Sequence, residues 1–158
     1  MDSLSKLYME RSENELRLAK ALLMLSEDEI IKKQLQAEPA DTFYSAVISH
    51  AYYAIFYATK ASLLTKGIDP KPPEIHKRTY EEFKKEFVDT GILDVELLKI
   101  YNEMIVTADE LLNIFEREKW KRGHFTYKTI PQANMPFASE SVEHARKFLQ
   151  NIFAIMKK

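Results

Sequence analysis

The sequence predicts an all-α protein, an antiparallel up-and-down helical bundle of four long helices plus a short additional helix. Apolar residues recur every three to four positions in four long segments, which is the spacing of a buried helix face. The chain of 158 residues has only three glycines, and 30% of its residues are charged. No segment alternates apolar and polar residues as a half-buried strand does, so helices alone account for the pattern.

The first helix is predicted over about residues 2–25. Its apolar stripe is interrupted by Arg11 and Glu15, which lie one turn apart. The two are either an ion pair that the fold satisfies or part of a polar site at a partner surface. A short polar helical connection is predicted over about residues 26–40. The apolar stripe consists of Leu4, Leu7, Leu18, Leu22 and Leu25.

The second helix, about residues 41–66, is apolar nearly all round and is therefore predicted to lie in the middle of the bundle. Asp41 is a candidate N-cap, and Gly67 suits the left-handed position after the C-terminus. His50 lies at the centre of its main stripe and is interpreted as a hydrogen-bonded core histidine.

A proline-rich link precedes the third helix, about residues 74–89, with Pro73 at its first position. Asp94 is the predicted cap of a fourth helix over about residues 94–121. The last helix is predicted over about residues 140–157, behind Ser139. His76 is assigned a capping, packing or ligand role, and His144 a place on the surface.

Composition excludes several classes of protein. A single domain over residues 1–158 is predicted. Folding hides roughly 70% of the surface of an unfolded chain of this size, so one core stabilises the domain without a metal or a disulfide. The absence of cysteine excludes disulfides and thiolate metal sites, and three glycines are too few for a Gly-rich phosphate loop. No histidine pair has zinc-site spacing, so neither metal nor cofactor is expected. The polar N-terminus and the lack of a long apolar run predict a cytoplasmic protein.

One segment departs from the overall net charge of −1. Residues 116–128 contain five Lys or Arg and two Glu, a local charge of +3, and His124 lies among them with several aromatic residues. Cations hold phosphates, an imidazole moves protons near neutral pH, and aromatic rings stack on unpaired bases. The segment therefore has the ingredients of metal-free RNA cleavage. The alternative is a helix C-terminus whose cations favour the helix dipole, followed by an ordinary loop.

The run from Ser49 to Gly67, with its Tyr52-Tyr53-Ala54 segment, resembles the HEPN domain family (higher eukaryotes and prokaryotes nucleotide-binding). Residues 13–23, 76–93 and 139–153 are similar to its first, third and final helices. The resemblance implies a helical bundle that dimerises. It also implies metal-independent endoribonuclease activity of the toxin or defence type, through an Arg-x4–6-His motif.

The candidate motif here is Arg117-x6-His124. Arg122 is a second candidate, because Arg122 to Tyr127 resembles the Arg…Tyr pattern of members that lack the histidine. The predicted catalytic residues are Arg117, Arg122 and His124. The predicted substrate-binding residues are Lys119, Trp120, Lys121, Tyr127 and Lys128.

Two other functions stay open at this point. In the first, a non-catalytic HEPN module binds a nucleotide or a partner nucleotidyltransferase, which the family often has encoded beside it. In the second, a structural protein uses its aromatic faces for assembly. The expected partners are a second copy of the chain, RNA or a nucleotide, and a nucleotidyltransferase, with no membrane.

Overall fold

The computed structural model describes the backbone of residues 2–112 and 134–158, and the side chains of residues 2–109 and 134–158. These ranges contain helices and connecting segments but no strand, so the predicted all-α fold class is confirmed. No helix within them is both long and apolar enough to span a bilayer. The helices are α1 (Ser3–Glu27), α2 (Glu29–Gln34), α3 (Tyr44–Leu64), α4 (Ile75–Phe83), α5 (Val95–Leu112) and α6 (Met135–Met156).

Helix α3 is the centre of the bundle, as its apolar sequence predicts. It packs against α1, α4, α5 and α6. Thirteen of its 21 residues are buried, including Ile48, Tyr52 and Ile55. It leaves one stripe partly open to solvent, which includes His50, Tyr53 and Tyr57. These three residues form part of the candidate site described below.

Helix α1 packs against α3 largely through small residues, together with the buried Leu16. The Ser5 hydroxyl donates to the Ala61 carbonyl oxygen at 2.9 Å, and the Ser12 hydroxyl donates to the Ala54 carbonyl oxygen at 2.6 Å. These contacts show that the two helices run antiparallel. Ser5, Ser12, Ala19 and Ser26 recur every seven residues and are all buried.

The predicted buried stripe of α1 is therefore wrong in part. Leu4 is 38% exposed, Leu7 is 55% exposed and Leu18 is 39% exposed. Leu22 and Leu25 are partly buried. The buried face lies beside this stripe, because small side chains let the two helix backbones approach closely.

Enlarging one of these small contacts should weaken the fold. Ala54 is fully buried against α1. We expect Ala54→Leu to lower the free energy of unfolding by about 1–3 kcal/mol, the usual cost of overpacking. Urea denaturation followed by circular dichroism measures it. Ala21→Leu, at an exposed position of α1, is the matched control and should shift the midpoint little. Equal midpoints for the two variants would contradict close packing at Ala54.

Two predicted caps have different outcomes. Asp94 accepts a hydrogen bond from the Glu96 amide at 2.7 Å, which confirms it at the start of α5. Asp41 instead accepts from the Glu38 amide, and α3 begins at Tyr44 with Phe43 as its N-cap. The prediction of Asp41 is wrong because its carboxylate stabilises the preceding turn. Gly67 has the left-handed conformation that was predicted for it, with φ +74°.

Helix α4 begins at Ile75 rather than at Pro73, after Glu74 in the left-handed conformation. It continues as one π-helical turn, Lys84–Val88. The His76 ring lies 4.6 Å from the Phe56 ring, and Lys66 Nζ lies 4.7 Å from the Phe87 ring. The proline-rich link therefore returns to the middle of α3, and α4 runs beside α3 in the same direction.

Helix α6 begins at Met135, about a turn earlier than predicted. The Asn134 side chain, not Ser139, accepts the capping hydrogen bond, from the Phe137 amide at 3.2 Å. Pro136 suits the first turn because no intrahelical acceptor is available there for an amide hydrogen. Helical spacing predicts seven buried residues on this helix. Val142, Ala145, Phe148, Leu149 and Ile152 are buried, whereas Phe153 and Met156 are only partly buried.

Candidate functional site

All the residues predicted to act on RNA lie between α5 and α6, outside the residues that the structure describes. The set therefore stays a prediction. It consists of Arg117, Lys119, Trp120, Lys121, Arg122, His124, Tyr127 and Lys128.

Within the described residues, charged and aromatic side chains gather on one face, where α1 lies beside the open stripe of α3. We call this the α1–α3 face and define it by Tyr8, Arg11, Glu15, His50, Tyr53, Tyr57 and Lys60.

The first contact on this face is between Glu15 and His50. Glu15 Oε2 lies 2.5 Å from His50 Nδ1, and the side chains are 16% and 30% exposed. The carboxylate fixes the orientation of the ring, as carboxylate partners of histidine commonly do. His50 is thus hydrogen-bonded as predicted, but it lies at the margin of the core rather than inside it.

The second contact involves Arg11, which is exposed. Its guanidinium carbon lies 4.5 Å from the centre of the Tyr57 ring. Tyr57 also stacks on Tyr8, with ring centres 5.8 Å apart. Burial raises the pKa of the Tyr57 hydroxyl, and the Arg11 charge partly opposes that effect. Arg11 and Glu15 therefore each have a partner on α3, so the predicted ion pair between them within α1 is wrong.

Lys60 forms the far end of the face. It is buried in the apolar helix α3, and its ammonium lies 5.1 Å from the Tyr8 ring. It also pairs with Asp69 at 3.2 Å and donates to the Pro70 carbonyl oxygen. Hydrogen bonds from Lys71 and then Lys60 hold the pKa of Asp69 below its ordinary value, although burial opposes them. These contacts tie the proline-rich link to α3.

His76 borders the face and is partly buried. Its Nδ1 lies 2.7 Å from the Tyr52 hydroxyl, and its ring packs on Phe56. Burial, assisted by the positive charge of Lys60, lowers the pKa of His76 to about 4. The packing role is the one the structure supports. His144 lies on α6 with its Nε2 3.6 Å from Glu140, as a partly exposed side chain.

Sequence reasoning missed two parts of this face. The pairing of Glu15 with His50 joins residues 35 positions apart, and no local pattern indicates it. Lys60 did carry a signal, since it is a lone cation in the apolar part of the second predicted helix. Among residues 2–109 and 134–158, no group of three or more His, Asp or Glu is arranged to hold a metal ion.

The chain is an all-α bundle whose central helix contains Tyr52-Tyr53-Ala54. The family model of the HEPN domain matches residues 5–158, so the chain belongs to the HEPN domain family.

Relatives with names were found by sequence comparison. Two proteins from Methanocaldococcus jannaschii carry the name "Putative toxin". One is 48% identical over 39% of this chain and 40% of its own length, and the other is 27% identical over 87% of each. A "UPF0332 protein" from Thermotoga maritima is 39% identical over 37% of this chain and 42% of its own length. The stronger identities therefore cover less than half of those relatives.

Proposed function

We propose that this HEPN protein is a toxin-type endoribonuclease, acting as a dimer on RNA through Arg117-x6-His124. The observation that carries the proposal is this motif within the basic run of residues 116–128, in a chain of the HEPN family. The two relatives that carry the name "Putative toxin" support the same class. Their alignments cover 39% and 87% of this chain.

The proposed reaction needs one proton-transfer group and a cluster of cations. His124 accepts the proton of a ribose 2′-hydroxyl, and the 2′-oxygen attacks the adjacent phosphorus. Arg117 and Arg122 stabilise the negative charge of the phosphorane. The bond from phosphorus to the 5′-oxygen then breaks, and the 5′-oxygen takes up a proton. The products are a 2′,3′-cyclic phosphate and a 5′-hydroxyl.

The neighbouring residues are assigned to substrate binding. The lysines 119, 121 and 128 hold phosphates on either side of the cleaved bond, which makes binding weaken with salt. Trp120 and Tyr127 offer rings on which unpaired bases stack. The proposed substrate is therefore single-stranded RNA.

Replacement of His124 tests the proposal. We expect His124→Ala to slow cleavage of single-stranded RNA in EDTA by at least about a hundredfold, the typical contribution of a general base. Cleavage is measured on end-labelled RNA, and the cyclic phosphate is identified by mass spectrometry. His144→Ala, at the partly exposed histidine of α6, is the control and should cleave like the wild type.

Equal cleavage by the wild type and His124→Ala would contradict the proposal, and so would cleavage by neither. The second of these outcomes would favour a non-catalytic module that binds a nucleotide or a nucleotidyltransferase. Glu118, directly after Arg117, is the feature that favours this alternative, because its charge opposes a phosphate.

A further inference from the structure

Three leucines of α1 are exposed on the face that also presents Arg11 and Glu15. Leu4, Leu7 and Leu18 are between 38% and 55% exposed. An apolar stripe that includes a tyrosine and an arginine has the composition of a protein interface rather than of an ordinary surface. The order of residues along the stripe indicates which kind of protein would bind there.

The stripe has nearly the same sequence of residue types in either direction from residue 13, except at Leu7, whose mirror position is the buried Ala19. Arg11 and Glu15 lie two residues from that point, Tyr8 and Leu18 lie five, and Leu4 and Leu22 lie nine. In two antiparallel helices related by a twofold axis at residue 13, these are the positions that face each other. The stripe is therefore complementary to itself, as an interface between identical subunits must be.

We propose that two copies of the chain associate through α1, antiparallel, with Arg11 of each copy paired to Glu15 of the other. Leu4 then packs against Leu22 and Tyr8 against Leu18 across the axis. The stripe from Leu4 to Leu22 is about 27 Å long at 1.5 Å per residue, which is enough for several helical turns to contribute.

The contacts within one chain hold these charges in place for such a pairing. The Arg11 side chain rests on the Tyr57 ring, and no described carboxylate forms an ion pair with it. Glu15 binds His50 through Oε2, which leaves Oε1 for a second partner. Side chains that are ordered before association lose less entropy on binding.

This interface would hold together the dimer on which the proposed function rests, but formation of the dimer does not require RNA cleavage. Light scattering reports the dimer, whereas the RNA assay reports the reaction. A dimer without cleavage and cleavage without this dimer are therefore distinguishable results.

Charge reversal tests the pairing. Arg11→Glu makes the stripe doubly negative at its centre, and Glu15→Arg makes it doubly positive. Like charges should raise the dimer dissociation constant by about a hundredfold or more. Each variant alone should therefore be a monomer in size-exclusion chromatography with light scattering. An equimolar mixture should form a heterodimer, because opposite charges then meet at every position.

The matched control uses Glu13→Arg and Arg17→Glu. These residues are also four apart on α1, carry the same charges and are exposed on a different side of the helix. Both control variants should remain dimers. A monomeric wild type, dimeric charge-reversed variants, or folded variants that do not associate when mixed would overturn the proposal.

Should a charge-reversed variant not fold, as judged by circular dichroism, Leu18→Asp decides the question. Leu18 is 39% exposed and lies on the stripe, whereas Met24 is 60% exposed on another side of α1. The proposal expects a monomer for Leu18→Asp and a dimer for Met24→Asp. Two dimers, or two monomers, would contradict it.

Discussion

Phe148→Ala should remove about 3–5 kcal/mol from the free energy of unfolding, the range measured for truncation of buried aromatic residues. Phe148 on α6 is completely buried. Its ring centre lies 5.4 Å from that of Phe83 and 5.7 Å from that of Tyr101. One side chain therefore joins three segments of the bundle. Because domains are stable by only about 5–15 kcal/mol in total, such a loss is a large fraction of the whole.

The control for this prediction is Phe153→Ala, on the same helix. Phe153 is only partly buried, so its truncation should cost clearly less. Urea denaturation at a fixed protein concentration measures both variants, because association would otherwise change the apparent stability. An equal loss for the two variants would show that the rings packed around Phe148 contribute no additional free energy of unfolding.

The second large effect is a loss of stability in acid that depends on His76. The pKa of His76 is about 4 in the folded protein, chiefly because of burial, against an ordinary value of 6.5. Below pH 6.5 the unfolded chain binds a proton that the folded protein does not. The free energy of unfolding therefore falls as the pH decreases from 6.5 to 4, by about 3 kcal/mol at 1.36 kcal/mol per pKa unit.

His76→Gln should abolish this part of the pH dependence, because glutamine does not titrate. Urea denaturation at several pH values between 7.5 and 4.5 gives the comparison. The carboxylates contribute similarly to every variant, so their effect cancels in the difference. His144→Gln, at the surface of α6, should keep the pH dependence of the wild type. If His76→Gln keeps the pH dependence of the wild type, protonation of His76 does not lower the free energy of unfolding.

Much of the fold could be predicted because helices of this kind follow hydrophobic periodicity. The central position of α3 follows from a helix that is apolar nearly all round, with Ile48, Tyr52 and Ile55 buried as expected. The left-handed conformation of Gly67 and the cap at Asp94 are local effects of single residues, and both are confirmed. The helix itself ends at Leu64, before the predicted residue 66.

The contact between α1 and α3 could not be predicted in the same way. Hydrophobic periodicity selects Leu4 and Leu18 and ignores Ser5 and Ser12, although the serines are the buried ones. Close packing of two helices favours small side chains, whose hydroxyls can bond to backbone carbonyls of the neighbour. Hydropathy alone therefore identifies the wrong side of such a helix.

The charged face depends on contacts between distant residues. Glu15 and His50 are both visible in the sequence, but their pairing follows only from the alignment of α1 with α3. The catalytic prediction for Arg117 and His124 came from a local motif and a family resemblance. It remains a proposal that the RNA assay tests.

The two serine hydrogen bonds to α3 have a further consequence for how α1 is positioned. Ser5 and Ser12 are seven residues apart, and so are their acceptors, Ala61 and Ala54. A shift of α1 along its axis would break both bonds together, and each buried hydroxyl left without a partner would cost about 1–3 kcal/mol. The two serine hydrogen bonds thus fix the position of α1 along its own axis. This position places Arg11 beside Tyr57 and Glu15 beside His50.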